Sequence, residues 1–412
     1  MKKILSLVLA LLLLAVMLPV VSLADDANYC TIAGLTDESG ELKHFDTLTA
    51  AAKAWRESKQ IGTGKGENGN GKDLGAHPDE LTEVDIVWNI YGTVPSGDGA
   101  GVIGTSGSIL SGGYIYPSIT IKSVTVNGNN NATITKTGTE PKAPYVGCSA
   151  NSVEFTNITF ADSMRNEGDP GSSTFTNCTF KADLRMPHNR ENATLKVENC
   201  TFTGEVASDY AIFVQGPKNG TMSNVVLSGN NISGYQRGIN VEAGSTATVS
   251  ITGNTITNLT GYTKNDQTYG AAIQLTTGKE FIITNNKIDV NTGNAFRFYG
   301  GLDADVTISN NIIKAPYLVW NQAELPNEKI TSQDNKLTIT NPNKAATSDG
   351  ALEDATVIKA APTQIVIITP TGDTPKTEDQ KNPTTGANDM VAAAAALMAV
   401  SALGMAVLSR KK

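Results

Sequence analysis

The chain has 412 residues, 32 basic side chains against 40 acidic ones, and a formal net charge of −8. With no basic tract away from its two ends it lacks the cationic footprint of a nucleic-acid partner. Aromatics are few and Asn, Thr and Gly abundant, which suits β structure with many turns. The four cysteines, Cys30, Cys148, Cys178 and Cys200, have no metal-site or redox-motif spacing.

Residues 1–24, MKKILSLVLALLLLAVMLPVVSLA, read as a secretory signal. Lys2 and Lys3 give a positive start, an apolar run follows, and Ser22-Leu23-Ala24 offers small residues for cleavage before Asp25. Residues 25–116 form an N-terminal cap region. Within it, FDTLTAAAKAWRES (45–58) predicts an amphipathic helix with Asp46 or Thr47 as N-cap. VDIVWNIYG (84–92) predicts an early strand. Between them GENGNGKD (66–73) approaches a phosphate-binding loop, but Asp73 stands where a magnesium-holding Ser or Thr belongs, and no strand-to-helix context surrounds it. It is read as a loop.

From 117 to 343 one short phrase recurs: IKSVTV (121–126), FTNITF (155–160), FTNCTF (175–180), VENCTF (197–202), LSGNNI (227–232), ITGNTI (251–256), ITNNKI (283–288) and ISNNII (308–313). The alternation is strand-like, and variable spacing around a constant phrase is what a solenoid gives when insertions fall in loops. The fourth position reads Val124, Ile158, Cys178, Cys200, Asn230, Asn254, Asn286, Asn311. A second strand follows many copies: AIFVQG (211–216), GINVEAG (238–244), AAIQLTTG (271–278) and AFRFYGG (295–301).

Two strands and a turn per rung, with this Asn column, resemble the right-handed parallel β-helix of the pectate-lyase-like superfamily. The expected class is therefore all-β, a parallel β-helix with an N-terminal capping helix and a C-terminal transmembrane helix. The resemblance implies that Asn230, Asn254, Asn286 and Asn311 form an asparagine ladder at a turn. The sequons at Asn157, Asn177 and Asn199 are then by-products of the repeat. Cys178 and Cys200 fall on adjacent rungs, as free thiols stacked like small apolar residues or, alternatively, as a disulfide.

The second strands direct Phe213, Asn240, Gln274 and Arg297 outward in one row, and Gln215, Glu242, Thr276 and Tyr299 in the next. The loop NLTGYTKNDQTYG (258–270) walls one side. Asn240, Tyr262, Gln274, Arg297 and Tyr299 are the candidate ligand contacts, and Glu242 with Asp266 is the one nearby carboxylate pair that catalysis could use. His44, His77 and His188 lie far apart, so no metal or cofactor is expected. The motif sets of the β-helical lyases and polygalacturonases are not found.

Residues 344–381 turn polar and are read as a stalk, with TQIVIITPTG (363–372) as a last strand. Asn382-Pro383-Thr384-Thr385-Gly386, an apolar span at 390–408 and a basic tail resemble the cell-wall sorting signal of Gram-positive bacteria, with Asn382 in place of the usual Leu. The resemblance implies sortase cleavage between Thr385 and Gly386 and linkage to peptidoglycan. The expected protein is exported and held at the cell surface. There it acts as an adhesin binding host or dietary glycans or surface proteins. The alternatives are a polysaccharide lyase or glycoside hydrolase on the same scaffold, and a structural stalk.

Overall fold

A strand that alternates apolar and polar residues buries only one face, so each phrase must stack on the next to make a core. In the computed structural model it does so along three parallel ladders. The structure describes residues 28–58, 83–97, 120–137, 150–165, 171–187, 191–206, 208–216, 222–264, 267–341, 344–346, 352–354 and 364–366, all within one compact unit, Met1–Ile368. The signal segment, the loop at 66–73, His77, Cys148, His188, Asp266, the 382–386 motif and the 390–408 span lie outside the described residues. Among those described, no helix is long and apolar enough to cross a membrane.

The first ladder runs from Glu83–Pro95 to Ile330–Gln333 and carries two inward columns. One is Trp88, Val126, Phe155, Phe175, Val197, Leu227, Ile251, Ile283, Ile308. The second ladder follows one tight turn later, and its inward column is Ile134, Phe160, Phe180, Phe202, Ile232, Ile256, Ile288, Ile313, Leu337. Like side chains stack rung on rung, with Phe155 and Phe175 rings 4.8 Å apart and Phe180 and Phe202 4.6 Å apart. The third sheet has seven parallel strands, Met164–Arg165, Leu184–Pro187, Tyr210–Gln215, Arg237–Glu242, Ala271–Thr277, Asn294–Phe298 and Tyr317–Asn321.

The turn between the first two ladders explains the third letter of the phrase. Asn157, Asn177, Asn199, Gly229, Gly253, Asn285, Asn310 and Asp334 all sit at φ between 53° and 66°. Only Gly, Asn and Asp enter that left-handed region readily, and other residues pay roughly 1–2 kcal/mol. The sequons are therefore turn residues.

The fourth letter is the ladder. The Oδ1 of Asn230, Asn254, Asn286 and Asn311 accepts the backbone N–H of the residue one rung before, at 2.8–2.9 Å. Each Nδ2 donates to the carbonyl of the preceding rung's first letter, at 2.8–2.9 Å, and to the next Asn's Oδ1. A fifth member, Asn335, closes the series and accepts from Asn311. The two free thiols continue it downward: Cys200 Sγ donates to Phe175 O and Cys178 Sγ to Phe155 O, the carbonyls an Asn would take. Their shared hydrogen bond and burial hold the Cys200 thiol above its ordinary range, and burial pushes Cys30 up to about 12.

Two readings need correction. IKSVTV is not aligned by its last letter: Val126 pairs with Phe155 and Val124 with Val153, while Ile134 pairs with Phe160. The first copy of the phrase is stretched by three residues, with Asn131 in the left-handed position and Ala132, not Val124, at the base of the turn column. The stalk reading also starts too early. Lys344–Ala346 pairs with Leu352–Asp354, Ala345 and Ala346 are buried, and Asn294 bonds both backbone groups of Ala346. Gln364–Val366 adds a further strand to the second ladder.

The helix α1 (Leu48–Ser58) buries Leu48, Ala51, Ala52 and Trp55. Thr47, rather than Asp46, is its N-cap, its Oγ1 accepting from the Ala50 N–H at 3.1 Å. The strand Tyr29–Ile32 pairs antiparallel with Glu83–Pro95 and so covers the first edge of the ladder.

Asn254→Ala removes acceptor and donor from a buried chain of amides and is expected to cost about 3 kcal/mol, read as a lowered urea midpoint. Ser173 interrupts an apolar column between Val153 and Leu195, is 1% exposed, and its hydroxyl has no partner. Ser173→Ala is expected to stabilise the chain by about 1 kcal/mol in the same assay.

Candidate functional site

Parallel in-register pairing places every second residue of the third sheet in one outward row. The row reads Arg165, Arg185, Phe213, Asn240, Gln274, Arg297, Trp320. Asn240, Gln274 and Arg297 are therefore brought together on the side away from the core as the alternation predicts, but they are not open to solvent: Asn240 is 5% exposed, Gln274 4% and the neighbouring Trp320 5%. The second row is not as predicted. A bulge after Val241 pairs Glu242 with Thr277, so Thr276 leaves that row and donates instead to Asn240 Oδ1 at 3.2 Å.

Arg297 is the centre of the arrangement. Its guanidinium lies 4.3 Å from the Tyr299 ring centroid and 4.2 Å from that of Trp320. Nη1 donates to Gln274 Oε1 at 3.2 Å and Nη2 to Gln322 Oε1 at 2.7 Å. The residue is 8% exposed, and its Nε has no partner. Burial pulls its pKa down, with Tyr210 and Tyr299 acting the other way. An arginine remains cationic under such a pull. Between two rings it is a fixed, planar donor rather than a swinging charge.

The network continues along the face. Tyr210 donates its hydroxyl to Gln274 Oε1 at 3.1 Å and stacks on Phe213. Arg237 lies 4.0 Å from the Tyr210 centroid, donates to its hydroxyl at 2.7 Å, and pairs with Asp209 at 3.3 Å. At the lower end Asp183 is buried and holds Arg185, Ser163 and Ser208. Arg165, Arg185, Met186, Phe213 and Gln215 line a cavity of about 40 Å³ there.

Four of the chain's seven arginines thus gather on one face of an acidic protein. The row itself contains no carboxylate. Glu242 stands beside it, and its nominated partner Asp266 lies outside the described residues. Tyr262, 45% exposed, sits on a hairpin of Tyr262–Lys264 and Gln267–Tyr269, where its ring meets Tyr269 edge-on at 5.2 Å. Among the described residues no three His, Cys, Asp or Glu side chains form a group able to hold a metal.

Sequence reasoning missed Trp320, Gln322, Tyr210 and Arg237. Trp320 was within reach, because YLVWN (317–321) is the strand that follows ISNNII as the others follow their phrases. Tyr210 and Arg237 open their strands with the parity of inward residues, so periodicity consigns them to the core. Their side chains instead join the outward network.

A family model described as a right handed beta helix region matches residues 192–337, which include the whole asparagine ladder. Together with the parallel pairing of its strands, this makes the fold a right-handed parallel β-helix. No curated protein and no solved structure matches the chain.

Arg297→Ala removes the guanidinium that lies over the Trp320 indole. Tryptophan emission is expected to shift to the red, since Trp55 and Trp88 are buried elsewhere and do not change.

Proposed function

We propose that this is an exported, surface-displayed β-helix whose third-sheet face binds glycans, an adhesin rather than an enzyme. The observation that carries the reading is the clamped Arg297. Its planar donor is fixed by Tyr299 and Trp320; of the two glutamines it bonds, Gln274 is buried behind it and Gln322 is exposed beside it. Planar donors and ring faces on a rigid sheet are what recognition of a hydroxyl-rich, ring-shaped ligand requires.

A row of Arg, Asn, Gln and aromatic side chains favours binding over turnover, because glycoside hydrolysis needs two carboxylates at a set separation. Display at the surface rests on the order of signal segment, 382–386 motif, apolar span and basic tail. On this reading sortase and peptidoglycan are the partners at the C-terminal end, and host or dietary glycans the partners of the β-helix.

The test is a glycan array with the full chain, run beside reducing-end and unsaturated-uronate assays on the same polysaccharides. Binding without turnover, weakened at least tenfold by Arg297→Ala or Tyr299→Ala, is expected. Turnover of a bound polysaccharide would overturn the binding-protein reading and move attention to Glu242.

A further inference from the structure

The lower end of the third-sheet row differs from its centre in one respect that decides what it can bind. Asn240, Gln274 and Arg297 are buried, whereas Arg165, Arg185, Phe213 and Gln215 all reach solvent in part. Strands Met164–Arg165 and Leu184–Pro187 pair in register, so Arg165 lies directly beside Arg185, and Phe213 follows on the next rung. With Met186 and Gln215 they line the cavity of about 40 Å³. Like charges set side by side on neighbouring strands repel, and an anion seated between them removes that cost.

Arg185 is held ready for such a group. Its Nε donates to one oxygen of Asp183, a residue 1% exposed, and the other oxygen accepts from Ser163 and, at 3.4 Å, from Ser208. A buried carboxylate so engaged is fixed in place, and it fixes the guanidinium through one edge. Among the described residues nothing else bonds Arg185, so its two terminal nitrogens are left for a ligand. Phe213 is backed by the Tyr210 ring, at 5.7 Å, and stands one rung from Arg185.

We propose that this cavity seats a sulfate ester carried by a glycan, with the sugar ring on Phe213 and a ring hydroxyl on Gln215. The proposal rests on the glycan-binding reading of this face and names what that glycan carries. A space of this size holds a group of a few atoms rather than a pyranose ring. Donors come from two guanidinium planes on different rungs, which suits the three terminal oxygens of a tetrahedral oxyanion. A planar carboxylate needs only one such fork. Asp183 offsets one of the two positive charges, so a singly charged sulfate ester is balanced there and a more highly charged phosphate monoester is not.

Binding of the full chain to immobilised dextran sulfate, with unsulfated dextran and polygalacturonate beside it, tests the proposal. The chain is expected to hold dextran sulfate more tightly than either, despite its net charge of −8. Affinity falls about tenfold in Arg185→Gln and in Arg165→Gln. It is unchanged in a Lys287→Ala, Lys336→Ala double variant, which strips the exposed basic patch around Ile312. Arg185→Gln takes a partner from buried Asp183, so its thermal midpoint is measured alongside; Arg165→Gln leaves Asp183 alone and carries the test if the first variant unfolds. Polygalacturonate held as tightly as dextran sulfate, or dextran sulfate binding that survives both arginine variants or is lost with the lysines, would overturn the proposal. So would failure to bind dextran sulfate: unsulfated ligands on the glycan array would then leave the glycan-binding reading standing, and a blank array would take both down.

Discussion

Everything in this β-helix hangs on a two-residue turn in which one residue takes a left-handed conformation and the next joins a vertical chain of hydrogen bonds. The left-handed residue bends the chain from the first ladder into the second. The next residue then points inward, where an amide would be ruinous alone but is satisfied by the amides above and below it. Because each Asn bonds both the rung before and the rung after, a slip of one rung by one residue would leave several buried polar groups unpaired. The ladder therefore sets register as well as stability.

That register is what makes an outward face possible. Rungs about 4.8 Å apart bring like positions of successive strands within reach of each other's side chains. Arg297 can be sandwiched only because Tyr299 lies on its own rung and Trp320 on the next. The same spacing lets Tyr210 reach Gln274 two strands away. The cap solves a different problem. An antiparallel strand pairs with the ladder's first strand, and the side of that pair away from the core carries the stacked rings around Tyr29.

The repeat itself was legible because the turn demands particular residues. Asn, Gly or Asp at the third letter and Asn at the fourth survive any change in loop length. Asn335 was overlooked because its phrase opens with Ser332 and ends with Leu337, so apolar anchors alone do not reveal it. IKSVTV misled for the opposite reason: its alternation is that of a rung, but the true turn of that rung lies at Asn131 and Ala132 after three inserted residues. Of the outward face, alternation gave the row through Arg297. It could not give Tyr210 and Arg237, whose side chains leave the plane expected from parity. Nor could it give the bulge that takes Thr276 out of line.

Amide hydrogen exchange on the full chain tests the central claim, that the turn ladder is the element on which the fold depends. The account predicts that the backbone amides of Asn230, Asn254, Asn286 and Asn311 exchange only at the rate of global unfolding, as slowly as the amides of the flanking strands. If those turn amides exchange early while the strands on either side stay protected, the ladder is an ornament of the stack and the account is wrong.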